Sequence, residues 1–355
     1  MRLTVQNLAV HIGFILSCVF NIFLIYMIRK KTSKQLGTYK YLMLSFSMFE
    51  MMFSTIDILN QPTIYVNNGV FILFSTNPLH LPRSFATYFN ILNFSLFGMI
   101  IALLAIHFVY RYFAVCKPKY LVLFETPYYF IFIVIFLCFG AEWFWSTALL
   151  GGARDGICDL QLEEIAQIYN IDIKNIVFTG MRYTTAKLGY TSICWNGVVL
   201  ALILLQIIII SAITVLYCGI RTYFEMSVKR ASTSRRTLDM QRQLFRALVV
   251  QTIIPVILLY VPMMTIFAAP IFHWKLNFLD AFVLIFIILY QILDPLAILY
   301  LVRDYRRAIK HMINIYIIDY MVQVLQGHSL QNSIQPPTPA IFSVHNPGNT
   351  MGIIY

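Results

Sequence analysis

Acidic side chains inside otherwise apolar stretches are the residues of this sequence best suited to do chemistry. If those stretches cross a membrane, an ionisable group at that depth costs about 2.5–3.5 kcal/mol on insertion scales. Such a group should therefore face the interior of a helix bundle or a wet cavity, which makes it a candidate for function. Five residues meet this description: Glu50, Asp57, Glu142, Asp280 and Asp294.

The positions of these acids along their helices suggest two kinds of role. Glu50 and Asp57 are seven residues apart and share nearly one helix face, and Asp280 and Asp294 repeat this at fourteen residues. Glu50 and Asp294 lie deepest, so we predict that they fix helix packing or take part in an activation switch. For Asp57, Glu142 and Asp280, ligand contact and interhelical hydrogen bonding are both open.

Catalysis and metal binding find little support in the sequence. No two of the seven histidines are four residues apart, and the six cysteines form no CxxC pair. The last apolar stretch contains no lysine that could carry retinal as a Schiff base. We therefore expect no enzyme activity, no metal site and no cofactor.

The elements that must position the acids are membrane-spanning helices. Hydrophobic residues make up 59% of the chain and charged residues 12%, whereas soluble domains have about 45–50% and about 25%. The apolar residues fall in blocks long enough to cross a bilayer, where the backbone must satisfy its own hydrogen bonds as helix. This predicts an all-α membrane protein, a seven-transmembrane helix bundle. We predict spans at Leu8–Ile28, Tyr41–Asn60, Ser84–Ile106, Tyr128–Leu150, Ile193–Ile220, Ala247–Ala269 and Asn277–Leu301.

The basic residues predict the orientation of this bundle. Of the 26 Lys and Arg residues, 19 lie in the segments that follow spans one, three, five and seven. By the positive-inside rule these segments are cytoplasmic, so the N-terminus is outside and the C-terminus is cytoplasmic. The placement of the basic residues then explains the net charge of +11, so membrane lipid is an expected partner and nucleic acid is not. The oligomeric state is left open.

Three regions follow from this topology. Residues 1–301 form the seven-transmembrane domain, residues 302–318 a juxtamembrane amphipathic helix, and residues 319–355 a disordered cytoplasmic tail. The long loop from Gly151 to Ser192 is predicted to fold over the outer mouth of the bundle. Cys158 and Cys194 both fall at this oxidising face, where a disulfide and two free thiols are equally open.

Further residues suggest a moving helix and a ligand pocket. Pro255 and Pro262 each remove a backbone hydrogen bond from span six and invite a kink that could let its inner end swing. Aromatic and methionine side chains in the outer halves of the spans could line an apolar pocket, alongside the shallower acids. The predicted pocket residues are Asp57, Tyr88, Phe94, Glu142, Tyr260, Met263 and Asp280.

Short motifs recur along most of the chain in a fixed order. Residues 107–115 read HFVYRYFAV and precede Lys117-Pro118; LGTYKYL occupies 36–42, and Gln61-Pro62 ends span two. Span six carries QLFRAL at 243–248 and QTIIP at 251–255, and the series ends with Asp294-Pro295 and Asp304-Tyr305-Arg306. The ordered set resembles the signature of the Str group of nematode seven-span chemoreceptors, which includes the closely similar Srj type.

The resemblance implies a G-protein-coupled chemosensory receptor in the plasma membrane of chemosensory neurons, in the sensory cilium. Such a receptor detects an odorant or soluble chemical and signals through a heterotrimeric G protein. Tyr110, Arg111 and Tyr112 stand where the wider superfamily has its acidic-Arg-Tyr triplet, so they are expected to couple to the G protein. Tyr110 replaces the acidic member, which removes the usual local partner of Arg111. Glu50, Pro255, Pro262, Asp294 and Pro295 are the expected activation switch.

Two other classes of membrane protein compete with the receptor. A seven-span ligand-gated cation channel of the kind used in insect olfaction would place the N-terminus inside, against the charge distribution. A small-solute transporter would be favoured by matched broken helices in two related halves, and the sequence contains no such symmetry. We therefore expect a receptor.

Overall fold

A computed structural model describes most of the chain. The described residues are 2–31, 39–67, 69–125, 127–151, 159–187, 190–228, 246, 249–250, 252–272, 274 and 279–315. We name the two ends of the helix bundle outer and inner according to the predicted orientation.

Seven apolar helices, named spans one to seven in chain order, dominate the described residues. Six of them are long and apolar enough to cross a membrane, and span six is shorter. Span three lies at the centre, because 83% of its most apolar stretch is buried, against 22% in span four. The spans are Arg2–Lys31, Tyr39–Asn60, Arg83–Cys116, Tyr129–Leu150, Trp195–Val228, Thr252–Ala268 and Leu279–Leu301.

The outer loops add strands that the all-α prediction did not include. Strands β1 (Thr63–Asn67), β2 (Val70–Ser75) and β3 (Val177–Arg182) form one antiparallel sheet in that order. Strands β4 (Thr184–Lys187) and β5 (Tyr190–Ile193) form a separate hairpin. The sheet and the hairpin both reflect local composition, since β-branched and aromatic residues favour strands. The described parts of the long outer loop are therefore folded.

The three-stranded sheet is buried on both faces. Successive side chains of a strand point to opposite faces. One face, with Ile64, Phe71 and Leu73, packs into the main core formed by the spans. The other face packs against the helix Asp159–Tyr169 in a second, smaller core. We call β1, β2, β3 and this helix the lid.

Hydrogen bonds join the lid to the spans beneath it. Asn60 of span two donates to the Oδ1 atom of Asn90 in span three at 2.8 Å. Asn90 in turn donates to the carbonyl of Leu73 in β2 at 3.0 Å, and the Ser75 hydroxyl donates to the carbonyl of Asn60. Because these groups are buried, leaving one unpaired would cost about 1–3 kcal/mol.

A polar contact fastens the lid helix to the sheet. Asn67 donates to Glu164 Oε1 at 2.9 Å and to the Tyr65 hydroxyl at 3.1 Å. Burial raises the pKa of the Tyr65 phenol above its usual value. Tyr65 is therefore neutral at physiological pH, and its phenol keeps a proton that can be donated to a carboxylate.

The close approach of spans three and four depends on glycine at position 98. A Cβ atom added to Gly98 would overlap the Trp143 indole ring, and Trp143 is the largest fully buried side chain among the described residues. An indole enclosed on all sides has little room to move. Gly98 therefore sets how closely the two helices pack.

We expect Gly98→Ala to destabilise the bundle by about 1–3 kcal/mol through overpacking. Gly219→Ala in span five is the matched control, because its added Cβ would lie 3.2 Å from the Phe108 ring, which has to yield only slightly. The measurement is cell-surface expression together with thermal inactivation in detergent. Equal loss in the two variants would contradict the packing argument.

The chain divides into two compact units, Met1–Arg306 and Arg307–Tyr355. In the second unit the described residues, 307–315, are helical. The predicted amphipathic helix extends to residue 318 and the predicted tail covers 319–355, so residues from 316 onward lie outside the described residues. The proposed boundaries of both regions stay predictions.

Candidate functional site

A cavity lies among the outer halves of the spans, directly beneath the lid. The centre of a water molecule can occupy about 40 Å³ of this cavity, and the space not filled by atoms is about 510 Å³ when the open solvent at its mouth is included. Spans one, two, three, six and seven contribute to its wall, as does the face of β1 and β2 that packs on the spans. The lining residues are Val10, Phe53, Asp57, Pro62, Ile64, Phe71, Leu73, Asn93, Phe94, Phe97, Met263, Leu284, Ile287 and Ile288.

Asp57 is the acidic residue in this wall, and it joins three helices. Asn93 of span three donates to Asp57 Oδ1 at 2.7 Å. Gln291 of span seven donates to Asp57 Oδ2 at 2.7 Å. Only 8% of the Asp57 surface is exposed, so both amides replace water as its partners. These charge-assisted bonds are among the stronger ones in proteins.

Three of the predicted pocket residues line the cavity. They are Asp57, Phe94 and Met263. Phe94 is surrounded by aromatic rings: its centroid lies 5.3 Å from that of Trp143 and 5.8 Å from that of Phe71. Trp143 thus supports the wall from behind.

Tyr88 and Glu142, also predicted to line a pocket, lie outside this cavity wall. Tyr88 is 54% exposed and stacks on Phe144 at a centroid distance of 6.3 Å, because six helical residues from Phe94 turn it to another face. Glu142 accepts a hydrogen bond from Gln206 of span five and is not part of the cavity wall. Asp280 belongs to span seven, but its side chain lies outside the described residues.

Tyr260 also lies away from the cavity wall, in a buried connection between spans three, five and six. The Ser211 hydroxyl donates to the carbonyl of Ile101 at 2.8 Å. Its oxygen is then free to accept from the Tyr260 hydroxyl, 2.7 Å away, since a serine hydroxyl has one proton to donate. The sequence did not indicate this bond, because its two side chains are 49 residues apart.

Span six changes its helical form next to Tyr260. Residues Val256–Tyr260 form a π-helical turn, with Pro255 immediately before it and Pro262 in the first turn of the α-helix that follows. Such turns insert extra backbone where a helix ladder is interrupted, and they are frequent at functional sites. Both prolines predicted to weaken span six therefore flank an irregular segment.

A second acidic cluster lies deeper, between spans one, two and seven. Glu50 and Asp294 are each 1% exposed and are close enough for their carboxyl groups to interact electrostatically. Asn21 and Tyr290 face the same Glu50 carboxyl group. Pro295 follows Asp294 inside span seven.

The two acidic sites are connected along span seven. Gln291, which hydrogen-bonds Asp57, lies three residues before Asp294. Residues three apart lie on neighbouring positions of one helix face. Polar groups therefore extend from the cavity wall to the deep pair of acids.

At the inner end of span three, Arg111 is covered by aromatic side chains. Its guanidinium carbon lies 3.6 Å from the centroid of the Tyr39 ring, and Tyr110 stacks on the same ring at 5.2 Å. Arg111 is 8% exposed. Tyr112 is half-buried and lies 5.9 Å, ring to ring, from Tyr217 of span five.

Cys158 lies outside the described residues, so the bridge between Cys158 and Cys194 stays a prediction. Among the residues that the structure does describe, no group of three or more His, Cys, Asp or Glu is placed to hold a metal ion.

Comparison with known families and sequences gives a consistent result. The family model described as "Serpentine type 7TM GPCR chemoreceptor Str" matches residues 6–310. Serpentine receptor class r-10 of Caenorhabditis elegans is 29% identical over 308 residues, covering 86% of this chain and 90% of the relative. G-protein coupled receptor str-33 of the same nematode is 25% identical over 309 residues, covering 84% and 88%.

Comparison with solved structures identifies the fold. The crystal structure of squid rhodopsin matches with a TM-score of 0.55 at 11% sequence identity, covering 88% of this chain and 85% of that chain. At this identity the likeness concerns the fold alone. The predicted seven-transmembrane helix bundle is thereby confirmed.

Proposed function

The chain belongs to the Str family of serpentine seven-transmembrane chemoreceptors, and from this premise we propose that it detects a small odorant or soluble chemical and activates a heterotrimeric G protein. Membership makes it a multi-pass membrane protein and a receptor, not an enzyme. A receptor of this kind has a ligand and a G protein as partners. We place it in the plasma membrane of the sensory cilium of chemosensory neurons, with the N-terminus outside.

The main support for the proposal is that Asp57 lines the cavity and also bonds three helices together. This carboxylate belongs to the cavity wall and also accepts the hydrogen bonds that join spans two, three and seven. A ligand in the cavity therefore alters bonds between three helices. A ligand can shift the equilibrium between two arrangements of the helices only as far as its affinities for them differ. Contact of the ligand with Asp57, which joins all three helices, would supply that difference in affinity.

The proposed switch continues from Asp57 towards the inner end. Gln291 is hydrogen-bonded to Asp57 and would follow its movement. Asp294 lies one turn further along span seven, beside Glu50. Pro295 adjoins this pair, while Pro255 and Pro262 flank the irregular turn of span six. Small changes at the cavity would favour a second arrangement of spans six and seven, because packed helices have discrete alternative positions.

The proposed coupling surface is the inner end of span three. We assign it to Tyr110, Arg111 and Tyr112. Arg111 lies against Tyr39 and is almost fully buried, so a partner in the cytoplasm cannot reach its guanidinium in this arrangement. The signalling state would release Arg111 from Tyr39 and present it to the G protein.

Calcium imaging tests the proposal. Cells expressing the full chain with a promiscuous G-protein α subunit would be exposed to a panel of volatile and water-soluble compounds. We expect a compound-dependent response that disappears without the α subunit and in Arg111→Ala, at equal surface expression. Equal surface expression separates lost coupling from lost folding.

The same cells distinguish the competing classes. A compound-evoked current that persists without any α subunit would overturn the receptor proposal in favour of a ligand-gated cation channel. Uptake of a labelled compound without a calcium response would favour a small-solute transporter. An Arg111→Ala variant that signals normally would overturn the assigned coupling surface.

A further inference from the structure

The chemistry of the cavity wall restricts the class of ligand that it can bind. Of its lining side chains, Asp57 and Asn93 are polar, and the rest are aliphatic, aromatic, proline or methionine. Lys, Arg and His are absent from this lining, all of which lies in the described part of the chain. The cavity is thus an apolar space with one carboxylate at its wall.

The carboxylate has hydrogen-bonding capacity to spare. An ionised carboxylate offers about four acceptor sites, and the amides of Asn93 and Gln291 use one on each oxygen. The residues that contact Asp57 through these bonds are neutral. A partner that approaches from the cavity therefore meets acceptor atoms and a negative charge.

A buried carboxylate is most stable when a positive charge pairs with it, because burial removes the water that would otherwise screen it. We propose that the cavity binds a small apolar molecule carrying an amine, whose ammonium group pairs with Asp57. This inference rests on the proposed receptor function and specifies the ligand of the same pocket.

The remaining wall fits the rest of such a molecule. Phe53, Phe94 and Phe97 line the cavity, and aromatic faces attract a cation as well as burying hydrocarbon. The centre of a water molecule can occupy about 40 Å³ of this space, which corresponds to only a few water positions, so a short aliphatic or single-ring amine fits better than a bulky one. A carboxylic acid would be repelled by Asp57, and a neutral alcohol would bring no charge.

Binding of an ammonium group also acts on the helix contacts. An ammonium on the unused acceptor sites would draw the Asp57 carboxylate towards the cavity and so weaken its hydrogen bonds with the amides of Asn93 and Gln291. Weaker amide bonds would loosen spans three and seven from span two. The charged end of the ligand is then the part that drives signalling, and its hydrocarbon supplies affinity.

A matched series of compounds with one carbon skeleton tests the proposal. Hexylamine, 1-hexanol and hexanoic acid would be applied to cells expressing the wild-type chain, Asp57→Asn or Glu163→Gln with the promiscuous α subunit. We expect the concentration of hexylamine that gives a half-maximal response to be at least about tenfold lower than that of 1-hexanol. Hexanoic acid should give no response. Asp57→Asn should remove this preference. Glu163→Gln, which removes an exposed charge on the lid helix, should keep it.

A second measurement separates this inference from the proposed function. The thermal stability of purified receptor in detergent requires no G protein, and hexylamine should raise the unfolding temperature of the wild type but not of Asp57→Asn. A shift without signalling would support the amine site while contradicting G-protein coupling. The amine proposal would be overturned if the wild type bound or responded to 1-hexanol as well as to hexylamine, or if hexylamine failed to stabilise it. Both outcomes concern the wild type alone, so they can be read even if Asp57→Asn does not fold.

Discussion

Tyr39→Leu is expected to raise ligand-independent signalling by up to about 30-fold. The Arg111 guanidinium lies 3.6 Å from the centre of the Tyr39 ring, and both side chains are buried. A desolvated cation–π contact is worth about 2 kcal/mol, and each 1.4 kcal/mol changes an equilibrium tenfold. Leucine fills part of the same space without an aromatic face. The variant therefore loses the contact that, in the proposed mechanism, keeps Arg111 from the G protein in the absence of ligand.

The measurement is the calcium or cyclic-nucleotide signal of unstimulated cells, divided by the amount of receptor at the surface. Tyr39→Phe is the matched control, because it keeps an aromatic ring beneath the guanidinium. Phenylalanine and tyrosine rings both attract a cation to their faces, so the unstimulated signal should stay within about twofold of wild type. The double variant Tyr39→Leu/Arg111→Ala should show no rise. These comparisons assign the effect to the contact between the two side chains.

The opposite outcome has an equally clear meaning. A fall in signalling in Tyr39→Leu, with normal surface expression, would mean that stacking on Tyr39 belongs to the signalling state. Arg111 would then act from its buried position, and another group would contact the G protein. An unchanged signal would mean that Tyr39 serves packing alone.

The membrane helices could be predicted because bilayer thickness dictates their length. The predicted span Tyr41–Asn60 corresponds to the observed helix Tyr39–Asn60, and Tyr128–Leu150 to Tyr129–Leu150. Span three instead continues ten residues beyond its predicted end, to Cys116. Hydropathy marks where the hydrocarbon ends, whereas a helix can continue beyond that point, and here the extension carries Arg111.

The lid could not be predicted from hydropathy. Strands β1 and β2 have five and six residues, too few to cross a bilayer and without a helical period. The partner of β2 on its other edge is β3, and the register pairs Ser75 with Val177, about a hundred residues away. Pairings this remote in sequence leave no local signal.

The site was predictable in part, for a reason visible at Asp57. A carboxylate in an apolar helix is conspicuous because it is costly, and it does line the cavity. Its partners Asn93 and Gln291 are neutral amides, which are less conspicuous, and the latter is 234 residues away. Tyr39 precedes the predicted start of span two at Tyr41, but the observed helix begins at Tyr39. Its contact with Arg111 could therefore not be predicted from the span boundaries.

Phe71→Ala is expected to lower the free energy of unfolding by about 3–5 kcal/mol, the usual cost of removing a buried aromatic ring. Phe71 is completely buried and lies at the junction of the lid, the cavity and span six. Its ring centroid is 5.5 Å from that of Phe267 in an edge-to-face arrangement and 5.8 Å from that of Phe94. The variant would leave a void beneath β2, and because β2 is paired on both edges, with β1 and β3, the sheet can collapse into that void only partly.

Unfolding by sodium dodecyl sulfate in mixed micelles measures this free energy, with Phe272→Ala as the matched control. Phe272 is the same residue type but is 62% exposed, so its loss should cost less than about 1 kcal/mol by comparison with other surface substitutions. Phe71→Leu should fall between the two, because leucine refills part of the void. If Phe71→Ala were no less stable than Phe272→Ala, the lid would not be part of the folded core, and the cavity beneath it would lie open to the outside. A large loss would instead mean that the lid and the helix bundle unfold together, so that ligand entry requires either displacement of the lid or passage between the spans.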